Sequence, residues 1–333
     1  MKKEKIDASY IMELSDDYGR SAILHTAVNL DIFSKLSSKP ATVYDLARKI
    51  KASRRGTSIL LHALAGMGLI KKKREKFFNS PSSEEFLVKG KKRYYGHMVE
   101  FDAMQWPYWG MLEESVVSGT SAKIPDMFQA DPEQVRKFIM GMHSIAMARG
   151  DAVHLAKKIK LKGHKKLIDI GGGPGTFAIQ FCIANPDLEA AVFDLPATLK
   201  ITAEVIEQFR MKKRIKMIPG DYNNDEIPEG YDVAFLSNII HAENEKDNCA
   251  LMKKIYSSLN PGGMIMIKDH ILDKTGTMPS DGAVFAVTML LFTKGNCYKF
   301  IEVKDWLQQA GFKKVSLIEP GPPMWSQLVT AVK

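Results

Sequence analysis

A glycine-rich stretch, residues 167–175, contains the first side chain with an evident chemical use. It runs Leu-Ile-Asp-Ile-Gly-Gly-Gly-Pro-Gly, so Asp169 precedes glycines at positions 171, 173 and 175. Glycine lets backbone amides approach a ligand closely, because no Cβ intervenes. A dinucleotide fingerprint would require glycine or alanine where Thr176 stands, and the phosphate-loop pattern does not fit. The loop therefore predicts a ligand site in which Asp169 holds a cationic group such as an ammonium.

Two further acidic positions follow predicted strands. Asp194 ends the second strand, and Asp221 with Tyr222 follows the third. A carboxylate at the first position suits two ribose hydroxyls, and the second position is where an adenine would lie. Because ligands of open α/β sheets bind at the carboxyl ends of the strands, these residues predict a nucleoside-like ligand beside the glycine loop.

The elements that must position these residues alternate between β-rich and helical segments from residue 165 onward. This alternation predicts an α/β, Rossmann-like, doubly wound and mostly parallel seven-stranded sheet, with helices between the first six strands. Only a turn, Pro320-Gly321-Pro322-Pro323, separates the last two strands, which predicts antiparallel pairing for them. The predicted strands are residues 166–170, 190–193, 215–219, 233–237, 264–269, 314–319 and 328–332.

The N-terminal part predicts a mainly α winged-helix domain. A long helix over residues 8–36 precedes a helix opened by a capping box at Thr42 and Asp45. A second short helix follows over residues 58–67, and then a charged hairpin from Leu69 to Phe78. Residues 80–160 are predicted to be mostly helical. The expected domains are thus 1–95 (winged helix), 96–160 (helical connector contributing to a substrate pocket) and 161–333 (ligand-binding sheet).

On these motifs the C-terminal part resembles class I S-adenosylmethionine methyltransferases. More narrowly, the whole chain is similar to small-molecule O-methyltransferases of the caffeate and acetylserotonin type and their bacterial relatives. The most family-specific match is Phe193-Asp194-Leu195-Pro196. The other matches are Asp169–Gly175, Gly220-Asp221, Ser237–His241, Leu259–Gly263, residues 30–33 through 68–70, residues 138–142 and residues 306–312.

The resemblance implies S-adenosylmethionine as methyl donor, no metal, and a homodimer formed through the winged-helix domain. It also implies His241, just past the fourth strand, as general base. A phenol has a pKa near 10, and imidazole, with a pKa near 6.5, can remove its proton as the methyl group transfers. The expected cofactor contacts are Asp169, Gly171, Gly173, Gly175, Asp194, Leu195, Asp221, Tyr222 and Ser237.

An acceptor pocket is expected from residues that match the family's substrate-lining segments. Met142 belongs to the Phe-x-x-Gly-Met stretch, and flexible thioethers suit a bulky apolar substrate. His270, after the fifth strand, is a second candidate base on the same edge. The expected substrate residues are Met142, Trp106, Trp109, His270 and Met289.

Three positions depart from the plant-type pattern. Ala242 stands where an aspartate follows the base, and Lys294 stands where a glutamate precedes the glycine at position 295. Ser237 replaces a lysine four residues before the base. The carboxylates expected to orient His241 are therefore absent from their usual places, and Glu243 is a candidate substitute.

Composition indicates which broad class of protein the chain belongs to. The chain has 333 residues, 45% of them hydrophobic, and three widely spaced cysteines, which predicts a packed protein with free thiols in a reducing, cytoplasmic environment. No apolar run is long enough to span a membrane, and no apolar secretion signal follows Met1.

Two alternative functions stay open at this stage. The first is methylation of a ring carbon, on a tetrapyrrole or quinone-like molecule, which needs no histidine base. The second is a DNA-binding regulator, favoured by the net charge of +9, all of which lies within residues 1–100. The predicted groove helix, residues 58–67, contains no Lys or Arg, so nucleic acid is not the expected partner.

Overall fold

The computed structural model describes residues 7–122 and 131–333. The chain divides into two compact units, Met1–Gln105 and Trp106–Lys333. The predicted helical stretch 80–160 includes residues 123–130, which lie outside the described residues, as do residues 1–6 of the predicted first domain. Within the described ranges, no helix is both long and apolar enough to cross a membrane.

The first unit contains a helical winged-helix arrangement with its own apolar core. The predicted capping box is present, since the Asp45 amide donates to Thr42 Oγ1 at 3.2 Å and the Thr42 amide donates to the Asp45 carboxylate, also at 3.2 Å. The hairpin β1–β2 is antiparallel, as expected. The elements are α1 (Ala8–Asn29), α2 (Ile32–Ser38), α3 (Val43–Lys49), α4 (Arg54–Gly66), β1 (Ile70–Lys73), β2 (Lys76–Asn79) and α5 (Pro81–Phe86), and α6 (Gly96–Trp109) crosses into the second unit.

Two helix boundaries in this unit differ from the expectation. The single helix predicted over residues 8–36 is interrupted at Asp31, whose φ of 55° lies in the left-handed region. The helix predicted over residues 58–67 begins earlier, at Arg54, because the Ser53 side chain accepts from the Gly56 amide and caps it. The first turn of α4 therefore carries Arg54 and Arg55, and the prediction that this helix contains no Lys or Arg is wrong.

The second unit is built on a seven-stranded sheet with the order β5-β4-β3-β6-β7-β9-β8. Strands β3 to β7 are parallel, and β9 is antiparallel to both of its neighbours. The expected fold class is thus confirmed. The elements are α7 (Leu112–Ser118), α8 (Pro132–Arg149), α9 (Asp151–Lys158), β3 (Lys166–Ile170), α10 (Thr176–Ala184), β4 (Glu189–Asp194), α11 (Pro196–Gln208), β5 (Ile215–Pro219), β6 (Tyr231–Ser237), a 3-10 turn (Ile240–Ala242), α12 (Glu245–Ser258), β7 (Leu259–Asp269), α13 (Ser280–Phe292), α14 (Phe300–Ala310), β8 (Lys313–Ile318) and β9 (Gln327–Val332).

One connection differs from the predicted alternation. No helix lies between β5 and β6, where residues 220–230 form turns and loop instead. β5 is an edge strand, and through this loop the chain returns to β6 on the other side of β3. This loop begins with Asp221 and Tyr222, so it brings predicted ligand residues to the sheet edge without a helix.

Burial on both faces of the sheet decides where the polar side chains at the strand ends point. Ile168 and Ile170 belong to the core covered by α12 and α14, and Leu167 belongs to the core covered by α9, α10 and α11. Side chains alternate along a strand, so Asp169 shares the face of Leu167. The two cores thus enclose the middle of the parallel strands, and Asp169 and Asp194 lie near the carboxyl ends of β3 and β4.

Candidate active site

The glycine loop after β3 has the backbone shape that its composition predicts. Gly171, Gly173 and Gly175 have φ values of +62°, +54° and +71°, a region that other residues rarely adopt. A Cβ on Gly171 would lie 2.4 Å from Ile239 Cδ1, so the close approach of the two loops also requires glycine there. The loop leads into α10 at Thr176, whose Oγ1 lies 2.8 Å from His143 Nδ1 on α8.

Asp194, at the end of β4, is bonded directly to this loop. The Gly173 amide donates to Asp194 Oδ2 at 2.7 Å, and the Leu195 amide donates to Oδ1 at the same distance. Burial and the negative charge of Asp221 raise the pKa of Asp194, although both amide hydrogen bonds act in the opposite direction. The two hydrogen bonds thus fix the Asp194 carboxylate beside the glycine loop, where it contributes negative charge.

Among the three acids Asp169, Asp194 and Asp221, Asp169 is the most deeply buried, with 1% of its surface exposed. Burial, together with the nearby Asp194 carboxylate, raises its pKa to about 8. Its Oδ2 atom is buried and has no hydrogen-bond partner within the described part of the chain. An unpaired buried carboxylate oxygen is costly, and a cationic ligand group would relieve that cost.

Asp221 lines an open cleft at the carboxyl ends of β4 and β5, and Tyr222 follows it directly in the chain. The cleft has a volume of about 340 Å³ and is lined by Leu195, Pro196, Pro219, Gly220, Asp221 and Asp225. The Tyr222 hydroxyl donates to Glu243 Oε1 at 3.0 Å, and burial with this carboxylate raises the pKa of Tyr222 well above its ordinary value. Tyr222 therefore remains a neutral donor that joins the cleft to the loop after β6.

Ser237 ends β6 and pairs in register with Lys268 of β7. The Lys268 side chain is 4% exposed, and its Nζ donates to Asn238 Oδ1 at 3.1 Å. Burial lowers the pKa of this ammonium, while the charges of Asp151 and Asp269 act to raise it. A buried amine is thus present on the strand next to Ser237, and it holds Asn238, three residues before His241.

His241 lies on the 3-10 turn after β6 and is 8% exposed. Its Nδ1 is 2.7 Å from Asp269 Oδ1 at the end of β7. Burial alone would raise the pKa of Asp269, but the charge and hydrogen bond of His241 lower it below its ordinary value. The carboxylate stays ionised and fixes the imidazole ring, leaving Nε2 as the nitrogen that can accept a proton.

The Phe285 side chain of α13 packs against the rings of His241 and His270. The Phe285 ring centroid lies 5.1 Å from that of His241 and 4.6 Å from that of His270. Burial lowers the pKa of His270 to about 4, so this second histidine is neutral at neutral pH. It adds no positive charge beside His241.

The expected substrate residues are distributed along two helices. On α13, Met289 is buried and lies one turn beyond Phe285, and Phe292 continues the same side of the helix. The Trp109 ring meets Phe292 edge-on at 6.2 Å. This face of α13 thus extends from His241 toward Trp109, although Trp106 and Trp109 are each 40% exposed. Met142 is half-buried on α8, next to the loop-bound His143.

Asp269 and Phe285 are not among the residues expected from the sequence. Asp269 carries the signal used for Asp194, an acid at the carboxyl end of a parallel strand, and β7 neighbours β6, which precedes His241. Glu243, the expected substitute, has a different role. Its carboxylate accepts from Tyr222 and from Asn223 Nδ2 at 2.9 Å and pairs with Lys294 at 2.7 Å. Lys294, in the position of the missing glutamate, therefore balances the charge of Glu243.

A nucleoside with a positively charged end fits this edge of the sheet. The positive-φ glycines admit a ligand close to the backbone, and the orphaned Asp169 oxygen and the Asp194 and Asp221 carboxyls favour a cation. S-adenosylmethionine has this chemistry, with a nucleoside, an ammonium and a sulfonium that carries the methyl group. The strand order, with β9 antiparallel, and this edge define an S-adenosylmethionine-dependent methyltransferase.

The chain belongs to the O-methyltransferase family. A family model described as the O-methyltransferase domain matches residues 114–313, and one described as the O-methyltransferase dimerisation domain matches residues 12–89. The protein is therefore an S-adenosylmethionine-dependent O-methyltransferase with an N-terminal dimerisation domain.

Several characterised proteins are similar over almost the whole chain. The 3-hydroxy-5-methyl-1-naphthoate 3-O-methyltransferase of Streptomyces sahachiroi is 28% identical over 329 residues, which cover 97% of this chain and 94% of the relative. The L-tyrosine C(3)-methyltransferase of Streptomyces lavendulae is 26% identical, covering 93% and 88%. The structure of human N-acetylserotonin methyltransferase in complex with SAM shares the fold, with a TM-score of 0.89, 22% identity and coverage of 100% and 99%.

Proposed function

We propose that the enzyme transfers a methyl group to a hydroxyl of an aromatic small molecule, with His241 as general base. The observation that carries this proposal is the 2.7 Å hydrogen bond between His241 Nδ1 and the buried Asp269. The naphthoate O-methyltransferase, a relative over 97% of the chain, supports an aromatic acceptor. Phe285, against the His241 ring, supplies an apolar aromatic surface for such a ring.

The His241–Asp269 pair activates the acceptor. Nε2 of His241 takes the proton from the acceptor hydroxyl, and the ionised Asp269 stabilises the imidazolium that forms. His270 remains neutral beside it, because burial lowers its pKa to about 4. Phe285 and Met289 exclude water from the acceptor side. S-adenosylmethionine, when bound, supplies an electrophilic methyl group on its sulfonium.

The cofactor is assigned to the edge formed by the ends of β3, β4, β5 and β6. Asp169 binds the ammonium, the amides of the glycine loop approach the methionine part, and Asp194 faces the ribose. Asp221 and Leu195, which line the 340 Å³ cleft, take the adenine end, together with the adjacent Tyr222. Ser237 lies at the end of β6, on the face that Asp169 and Lys268 share.

The acceptor pocket is assigned to Met142, Met289, His270, Trp106 and Trp109. The continuous face of α13 from Phe285 to Phe292 supports the inclusion of Met289 and Trp109. Because both tryptophans are 40% exposed, they serve as a cover at the open end rather than as a buried wall.

The chain acts as a homodimer through its first domain. The dimerisation-domain match over residues 12–89 supports this, and α1 exposes apolar side chains that a partner copy would cover. The proposed divisions are 1–95 for dimerisation, 96–160 for the connector and 161–333 for catalysis. The structure's own division into units falls close to the first of these boundaries, after Gln105.

His241→Ala tests the proposal with hydroxylated aromatic acceptors and radiolabelled S-adenosylmethionine. We expect kcat to fall by about 10²–10⁴, with S-adenosylhomocysteine affinity unchanged. His164→Ala, at the opposite edge of the sheet before β3, is the matched control and keeps full activity.

Carbon methylation is the second candidate, because one relative over 93% of the chain is an L-tyrosine C(3)-methyltransferase. Near-intact activity of His241→Ala would exclude the general-base role and favour this alternative. Nuclear magnetic resonance of the product then identifies the methylated atom directly.

A further inference from the structure

The segment from Arg48 to Lys76, in the first unit, carries a charge that catalysis does not use. It contains ten Lys and Arg residues and one acid, Glu75, which gives +9. The whole chain also has a net charge of +9, so the remainder balances to zero. All ten cations are exposed; they are Arg48, Lys49, Lys51, Arg54, Arg55, Lys71, Lys72, Lys73, Arg74 and Lys76. We call these ten residues the basic surface.

The basic surface is not neutralised within its own unit. Ion pairs elsewhere in the first unit hold Lys35, Lys91 and Arg93 against acidic partners. None of the ten cations forms an ion pair with a carboxylate of the described ranges. Ten unpaired cations in one segment repel each other, and an anionic partner would remove that repulsion.

The fold places these charges as a winged-helix motif places its nucleic-acid contacts. Arg54 and Arg55 occupy the first turn of α4, the second helix of the helix-turn-helix pair α3–α4. In such motifs the N-terminal residues of this helix meet the major groove. The Arg54 guanidinium stacks on the half-exposed Tyr44 ring at 4.4 Å, which fixes its direction.

The hairpin supplies the second half of the surface. Lys71, Lys72 and Lys73 are all exposed on β1, Arg74 lies at the turn, and Lys76 begins β2. Lys72 Nζ lies 3.2 Å from His62 Nε2 on α4, so the hairpin and the helix are joined. Lys71 and Lys73 share one face of β1 and Lys72 lies on the other face beside α4, so the hairpin offers exposed amines for phosphate contacts.

Dimerisation does not account for this surface. A two-fold interface uses the same patch of both subunits, so centring it on this segment would bring two patches of charge +9 together. The exposed apolar residues of this unit lie mainly on α1, at Tyr10, Ile11, Met12, Leu14 and Tyr18. The apolar helix suits a second copy of the chain, and the basic surface is left for another partner.

We propose that the basic surface binds duplex DNA, mainly through phosphates, as a second activity of the enzyme. Arg54 and Arg55 enter the major groove, and the hairpin lysines contact the adjacent backbone. B-form DNA fits better than A-form RNA, because the major groove of RNA is too deep and narrow for a helix. Binding of this type is salt-sensitive, with Kd on the order of 10⁻⁶–10⁻⁴ M at physiological salt.

The test uses the full-length protein and a fluorescent 30-base-pair DNA duplex, with anisotropy measured from 50 to 200 mM KCl. We expect log Kd to rise linearly with log salt, with a slope reduced by roughly 0.9 for each phosphate contact removed. The triple variant Lys71→Gln, Lys72→Gln, Lys73→Gln and the double variant Arg54→Gln, Arg55→Gln both lower the slope and weaken binding. Methyltransferase activity stays unchanged in both, which shows that they fold.

The control is a second triple variant, Lys160→Gln, Lys162→Gln, Lys166→Gln, which loses the same charge as the hairpin triple variant. These lysines are exposed in the second unit, so DNA binding is retained if the basic surface is the site. Equal weakening in the control and in the hairpin variant would overturn the proposal, as would no binding at 50 mM KCl. Tighter binding to an RNA duplex or to anionic phosphatidylserine vesicles than to DNA would overturn it in favour of that partner.

Discussion

His241 Nδ1 and Asp269 Oδ1 are 2.7 Å apart and join the ends of two neighbouring parallel strands. The two residues are 28 positions apart in the chain. Neither Ala242 nor Lys294 carries the carboxylate expected beside the base, and Asp269 supplies it from β7. The His241 ring is therefore oriented by a carboxylate despite the departures from the plant-type pattern.

Asp269→Asn removes the negative charge and retains the side-chain shape. The amide no longer stabilises the imidazolium and allows the wrong tautomer of His241, so kcat falls on the order of 10²-fold. KM for S-adenosylmethionine stays the same. Steady-state kinetics at neutral pH check this, with Asp273→Asn in the exposed loop after β7 as the matched control. Full activity of Asp269→Asn would show that His241 needs no carboxylate.

Gly171→Ala tests the close approach of the cofactor loop. The added Cβ would lie 2.4 Å from Ile239 Cδ1 at a φ of +62°, so either the Ile239 side chain or the loop must shift. We expect S-adenosylhomocysteine affinity to fall by roughly tenfold or more, which is about 1.4 kcal/mol. Isothermal titration calorimetry measures the affinity.

Gly262→Ala is the control for this substitution. Gly262 has a φ of +75° and open space around its Cβ position, so it imposes a similar backbone strain without the clash. The affinity of the Gly262→Ala variant for S-adenosylhomocysteine stays unchanged. An equal loss in both variants would mean that backbone strain and not loop approach is responsible.

We expect cofactor binding to be coupled to the ionisation of Asp169. Burial and the Asp194 charge raise its pKa to about 8, so the free enzyme holds this carboxyl protonated at pH 6–7. An ammonium requires the ionised form, so binding releases a proton and the apparent Kd falls as pH rises, by at most about tenfold per pH unit.

Calorimetry of S-adenosylhomocysteine binding at pH 6.5, in two buffers of different ionisation enthalpy, measures the proton released. Asp169→Asn binds more weakly and releases no proton. A Kd that is constant between pH 6 and 7 in the wild-type protein would contradict the assignment of Asp169 to the ammonium.

Lys268 is expected to act as a positioning residue for the loop that carries His241. Its Nζ holds Asn238 Oδ1 at 3.1 Å, while the adjacent Asp269 holds His241. Lys268→Met releases Asn238, so kcat falls roughly tenfold, equivalent to about 1.4 kcal/mol in the barrier. Lys268→Gln still donates to Asn238 and retains more activity.

The exposed Lys216 on β5 provides the control variant, Lys216→Met. Steady-state kinetics separate the kcat effect from KM for the acceptor. Equal kcat losses for Lys268→Met and Lys268→Gln would show that the Asn238 hydrogen bond does not position the loop.

Much of the edge that forms the site follows from local sequence. Glycines that need positive φ identify the loop after β3, and acids that follow apolar strands identify Asp194 and Asp221. The structure places these residues at one edge of the sheet because the carboxyl ends of parallel strands meet there, and their roles as ligand contacts stay predictions. The start of α4 at Arg54 and the break at Asp31 were not predicted, because capping by Ser53 and a left-handed residue shift helix ends by a few positions.

The sequence by itself determined the class of sheet, the glycine loop after β3 and the position of His241 just past a strand, because each depends on residue types within a short span. Only the tertiary structure decided the partner of His241, the orphaned oxygen of Asp169 and the Phe285 cover. Each of these depends on strand order and burial, which bring together residues far apart in the chain. A carboxylate beside a base is defined by distance in space, and spacing along the chain does not encode that distance.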